Sequence, residues 1–109
     1  MTINYDEFKK VELKVGTIIS AERIEGSDKL LKLSVNLGED SPRQIISGIA
    51  KAYEPEALVG TQAIFVTNLE PRAIMGLESQ GMIIAGRDSD EKPVLIRPLK
   101  DLAPGTDLS

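Results

Sequence analysis

The 109-residue chain contains no cysteine, no histidine and no tryptophan. Without cysteine it can build no disulfide framework, thiolate nucleophile or thiolate metal site. Without histidine it lacks the commonest general base and the commonest metal ligand. Aromatic residues are scarce, at 4%, and reduce to Tyr5, Phe8, Tyr53 and Phe65. Phe65 falls inside an apolar run and Phe8 is expected to cover one end of the fold. Little aromatic surface is then left for stacking nucleic-acid bases. No apolar run approaches the roughly 20 residues of a membrane helix. The N-terminal MTINYDEFKK carries no apolar signal segment. A cytoplasmic location without a membrane partner is expected. Positive charge is also short. Thirteen Lys and Arg stand against 17 Asp and Glu, giving a net charge of −4. Binders of bulk polyanions are usually basic, so any nucleic-acid site here has to be a local patch.

Hydrophobic residues at 41% and charged residues at 28% are the balance of a globular fold. The length fits one domain, 1–109, with no internal repeat or linker. The pattern is largely β. Along 11–22, Val11, Leu13, Val15, Thr17 and Ile19 alternate with Glu12, Lys14, Gly16, Ile18 and Ser20, which predicts a half-buried strand. Gly16 inside it suggests a bulge or sharp bend. After a turn at Glu25–Asp28, Leu31, Leu33 and Val35 read as the inward face of a second strand. Arg43 to Ile49 reads as a third. Pro55 after Glu54, with Gly60 beyond, signals one short helix within 52–60. Ala63–Val66 is a buried fourth strand, and 68–81 reads as a long loop. Met82–Ala85 and Val94–Ile96 are predicted to pair as a hairpin around 88–92, followed by a C-terminal lap with one more edge strand. Five main strands with a helix between the third and fourth is the order of an OB-fold barrel. The fold class is therefore all-β: a five-stranded OB-fold barrel with that helix and a C-terminal extension.

Catalytic chemistry is thinly supplied. The serines have no evident base beside them, and no glycine-rich phosphate loop occurs at either familiar spacing. Asp88, Asp90 and Glu91 cluster without the calcium-loop spacing and read as a solvated turn. No catalytic residue, metal or cofactor is expected, and the chain reads as a binding module. Three stretches stand out. Lys29 and Lys32 flank a strand start, either as edge protection or as phosphate contacts. Ser47-Gly48 interrupts an apolar strand, as a bulge or as a place of close ligand approach beside Lys51. Tyr53 packs beside the helix or offers a stacking platform. The segment 68–82 combines Asn68, Arg72, Ser79 and Gln80 with Ile74, Met75 and Leu77. These are neutral hydrogen-bonding groups, a bidentate donor, and apolar groups that either pack back or meet a ligand.

The strings EGSDKLLKLSVNLG (25–38), SGIAKAYEPEALVG (47–60) and NLEPRAIMGLESQGM (68–82) resemble the tRNA-binding domain family. That family includes C-terminal domains of methionyl-tRNA synthetases, free-standing bacterial tRNA-binding proteins and, more distantly, the chaperone CsaA. The resemblance runs from about Phe8 to the C-terminus. It implies an OB-fold barrel, a homodimer, and tRNA binding directed by shape without catalysis. The module would act free-standing or as part of a synthetase, in cis or in trans; the Met1 start agrees with an independent chain. By motif, the RNA-facing positions would be Lys32, Ser47, Lys51, Asn68, Arg72, Ser79, Gln80 and Met82. Lys32, Lys51 and Arg72 would meet phosphate, and the serines and amides would meet sugar, phosphate or an unpaired base. Three to four such phosphate contacts would give a log–log salt slope of about −2 to −4. The string SQGM at 79–82 matches the tRNA-binding variety. Family members often carry Lys where this chain has Ala73, so one positive charge in the loop is missing. The alternatives are a module that dimerises a synthetase and a CsaA-like peptide-binding chaperone using Ile74, Met75 and Leu77.

Overall fold

Alternation of apolar and polar residues builds most of this fold, and the computed structural model describes all residues, 1–109. After a one-turn helix α1 (Tyr5–Phe8) come β1 (Leu13–Arg23), β2 (Leu31–Asn36) and β3 (Arg43–Ser47). Helix α2 (Pro55–Leu58) separates β3 from β4 (Gln62–Val66). Then follow β5 (Arg72–Ile74), β6 (Leu77–Ser79), β7 (Met82–Ile83), β8 (Ala85–Arg87), β9 (Pro93–Leu95) and β10 (Asp107–Leu108). The main sheet runs β3-β2-β1-β4-β7, with β10 added to β1. Its two ends, β3 and β7, curl together into a nearly closed five-strand barrel.

β1 makes the curl possible. Its first half, Leu13–Thr17, pairs with β4, and its second half, Thr17–Arg23, pairs with β2. A register shift between Ile18 and Ser20 marks the bulge. This corrects the expected face of the strand. Gly16, Ile18 and, past the bulge, Ala21 face the core, whereas Ile19 is exposed. Gly16 is not the bulge itself. A Cβ there would sit 2.7 Å from Val35 and 2.8 Å from Phe65, so glycine leaves room for the largest core side chain. Leu31, Leu33, Val35 and Ile45 fill the barrel with Phe65, all fully buried.

The edge of the first half of β1 that β2 leaves open is paired by the C-terminal lap, with Leu13 opposite Leu108 in β10. Val15 exchanges backbone bonds with Thr106 and Gly105, and Gln62 ties Leu102 down through both its amide nitrogen and oxygen. Gly38 and Gly105 meet backbone to backbone, both at positive φ. A Cβ on Gly38 would stand 2.6 Å from the Pro104 carbonyl oxygen. Only glycine fits such a crossing without strain.

Two expectations about the second half change. The 68–81 segment is not a plain loop but carries the β5–β6 hairpin, with Arg72 opposite Ser79 and Ile74 opposite Leu77. Met75 and Gly76 form its turn at φ 51° and 77°, the pair of positive values that a type I′ turn demands. The later hairpin is shifted. β7 joins β4 in the barrel, and it is β8 that pairs with β9, Ala85 opposite Leu95. Phe8, expected to cover one end of the barrel, is exposed and lies outside the core cluster. Tyr53 packs against the core, and its hydroxyl accepts the Leu95 N–H at 3.0 Å, which pins the β8–β9 hairpin to the barrel.

Candidate nucleic-acid interface

The β3 edge of the barrel is sealed by side chains acting as a surrogate strand. The backbone N–H of Gln44 donates to the Gln80 side-chain oxygen at 2.9 Å, and that of Ile46 to Ser79 Oγ at 3.0 Å. Ser79 Oγ in turn donates to the Gly81 carbonyl, and the Gln44 amide to the Glu78 carbonyl. The Gln80 N–H donates to the Gln44 carbonyl at 2.8 Å, and because an unpaired buried N–H costs about 1–3 kcal/mol, the side chains complete the pairing that this single backbone bond leaves open. Asn68 does the same on the other side. Its amide nitrogen donates to the Lys10 carbonyl at 2.6 Å, and its oxygen accepts the Glu12 N–H at 2.9 Å.

Arg43 clamps the root of the hairpin excursion. One guanidinium nitrogen donates to the carbonyls of Thr67 at 2.6 Å and Gln80 at 3.1 Å, the residues where the excursion leaves and rejoins the barrel. The other two guanidinium nitrogens grip the Glu39 carboxylate at 2.9 and 2.8 Å. The hydrogen bond from Arg43 holds the Glu39 carboxyl below the usual carboxylate range, against partial desolvation. The same bond raises the Arg43 guanidinium further. A fork of five donors suits this double task, which lysine could not perform.

So held, the β5–β6 hairpin lies on the outside of the barrel over Ile46, which is buried although it belongs to the outer face. Ile74 and Leu77 pack inward, and Met75 stays exposed. The tip leans to the β1–β2 turn, where a Cβ on Gly26 would lie 3.7 Å from the Met75 methyl. The β1–β2 turn and the β4–β7 connection thus flank one face, the arrangement through which OB-folds take ligands.

The eight residues expected to face RNA divide by what holds them. Arg72 is exposed and has no acidic partner. It lines a small cavity of about 70 Å³ with Ile46, Glu70, Ile74 and Met82. Met82 is half exposed and joins that cavity to a groove of about 290 Å³ bordered by Ser47. Lys32 projects from the outer face of β2 and is paired with Glu22 at 2.9 Å. Lys51 is exposed, 3.9 Å from Asp28. Asn68, Ser79 and Gln80 spend their side chains on the fold as described. The structure gathers Ser47, Arg72, Ser79 and Met82 around two adjoining depressions and leaves Lys32 and Lys51 on the flanks. Sequence reasoning missed Arg43, whose spacing from Thr67 and Gln80 gives no local signal, and Arg87, which lines the groove beside Ser47. Asp88 accepts the backbone N–H groups of Asp90 and Lys92 and closes its turn on itself.

A five-strand barrel with this flanked face is a barrel of the OB type. Residues 13–107 match the family described as "Putative tRNA binding domain", and the chain belongs to that family. It is 54% identical over 107 residues to a methionine–tRNA ligase of Helicobacter pylori, covering 98% of this chain and 16% of the relative. To a methionine–tRNA ligase of Methanococcoides burtonii it is 47% identical over 104 residues, covering 95% and 15%. The chain thus spans about one sixth of the length of these curated relatives. Among solved structures, a MetRS-related protein from Pyrococcus horikoshii matches with TM-score 0.92 at 39% identity, covering 100% of this chain and 99% of that one. The chaperone CsaA from Bacillus anthracis matches at 0.90 and 29%, covering 100% of both.

Proposed function

We propose that the chain is a non-catalytic tRNA-binding module, one domain over 1–109. It works as a homodimer beside or within a methionyl-tRNA synthetase. Family membership over 13–107 carries this reading, and the flanked outer face gives it a mechanism. Arg72 and Lys51 meet phosphates, Lys32 joins after exchanging its Glu22 partner, and Ser47 and Met82 meet sugar and base edges. Asn68, Ser79 and Gln80 complete the site by holding the hairpin that presents Arg72. With two tyrosines and two phenylalanines in the chain, of which Phe65 is buried and Tyr53 packed, recognition works by shape and backbone contact. That suits folded tRNA and predicts little preference among tRNA species.

The test is fluorescence anisotropy of labelled tRNA against a plain RNA duplex across a salt series. Salt-sensitive binding that favours tRNA is expected, with a log–log slope of about −2 to −4. Arg72→Ala is expected to weaken binding and to reduce that slope by about 1. A wild-type chain that ignores tRNA at low salt, yet slows aggregation of an unfolded client, would instead establish the peptide-binding reading. Of Ile74, Met75 and Leu77, the apolar groups that reading would use, Met75 is exposed and Ile74 and Leu77 are half-buried.

A further inference from the structure

Five of the 13 cationic side chains are neutralised by neighbouring acids: Lys14, Arg23, Lys32, Arg43 and Lys51. Two of these, Lys32 and Lys51, belong to the flanks of the proposed RNA face. Around Met82 the situation is the reverse. Arg72 stands on one side of it and Arg87 on the other, and neither forms an ion pair. Arg87 makes only a long 3.4 Å contact to the Glu91 carbonyl. The groove that Arg87 borders contains no carboxylate. It is formed by the exit of β3 (Ser47, Gly48, Ile49), the run from Met82 to Ala85, Arg87 and Pro93.

Gly48 adds an independent observation. Its φ lies outside the left-handed region, and a Cβ built on it would meet no atom within 4 Å. Neither backbone conformation nor packing asks for glycine here, so the fold leaves this stretch of main chain bare. Bare backbone beside an unpaired guanidinium suits a sugar–phosphate chain, which needs both close approach and charge.

We infer that the groove between Gly48 and Arg87 seats an RNA sugar–phosphate segment, with Arg87 as a phosphate-binding residue and Gly48 as the point of closest approach. Arg72 and Arg87 then bracket Met82 as two arms of one track. Charge complementarity selects this occupant. The Arg87 groove is cationic and holds no carboxylate, Glu70 lining only the adjoining Arg72 cavity, although the chain as a whole is acidic. The inference rests on the tRNA reading above and refines where the backbone of that RNA lies.

Four chains, wild type, Arg87→Ala, Gly48→Val and the control Arg97→Ala, should be titrated with labelled tRNA across salt, with thermal melts of each. Arg97 borders a different groove, with Tyr53, Leu58 and Gln62. Arg87→Ala is expected to lose about 3- to 10-fold in affinity and about 1 from the magnitude of the salt slope. Gly48→Val is expected to lose at least about threefold with an unchanged melting temperature, because the added side chain obstructs only the ligand. Arg97→Ala should bind like wild type. If wild type binds tRNA and either Arg87→Ala or Gly48→Val binds equally well, the groove assignment is overturned while the tRNA reading stands. A wild-type chain that binds no tRNA overturns both.

Discussion

Ser79 shows how one side chain can be tied to a function through its neighbours. It is buried, and its hydroxyl receives the Ile46 N–H while donating to the Gly81 carbonyl. Ser79→Ala leaves that N–H without a partner inside the protein. The expected cost is about 1–3 kcal/mol, read as a lower urea midpoint at unchanged slope. tRNA affinity measured well below the transition should fall less than it does for Arg72→Ala, because Ser79 holds the presenting hairpin rather than the phosphate. Exposed residues follow a different rule. Lys32 faces Glu22 across the β1–β2 ladder at 2.9 Å, so any phosphate it meets has to displace a carboxylate already in place.

Among elements, the β5–β6 hairpin depends on a clamp outside itself. Arg43 holds both of its roots, and Glu39 holds Arg43. The Glu39 carboxyl is shifted down in the folded protein by the Arg43 bond. A lowered carboxyl contributes stability above its unfolded value of about 4.5, and that contribution fades as pH falls through the lowered folded value. Glu39→Gln is therefore expected to destabilise at pH 7 by the modest amount of a surface ion pair, about 0.2–1 kcal/mol. Parallel urea titrations should show wild type and variant converging as pH drops below 4.5 toward the acid limit. A difference that persists undiminished through that range would remove Glu39 ionisation from the clamp. This hairpin was illegible in the sequence for a physical reason. Its turn residues are Met75 and Gly76, and methionine at positive φ lacks the Asn-Gly or Asp-Gly signature by which such turns are read.

At the scale of the molecule, apolar surface remains at the chain ends. Tyr5, Phe8, Val11, Val94, Ile96 and Leu99 are all exposed. Exposed large apolar side chains in this number on a small barrel favour association. The proposed homodimer predicts twice the chain mass of 11.8 kDa by light scattering at micromolar concentration. A monomer mass there would overturn it. Dimerisation would also set two RNA tracks on one particle, each short of charge alone.

The sequence by itself determined the strand alternation of β2, the apolar fourth strand, and the family to which its three motifs belong. These are local or contiguous signals, carried by periodicity and by strings of neighbouring residues. Tertiary structure alone decided which face of β1 enters the core, because a glycine pressed between Val35 and Phe65 shows no hydrophobicity of its own. It alone decided that Asn68, Ser79 and Gln80 complete backbone ladders, and that Arg43 joins Thr67 to Gln80. Those roles depend on hydrogen-bond partners some 24 to 58 residues away in the chain. It also separated the cations that keep their charge free for a ligand from those already spent on a neighbouring acid, a distinction made by distance in space and absent from the order of residues.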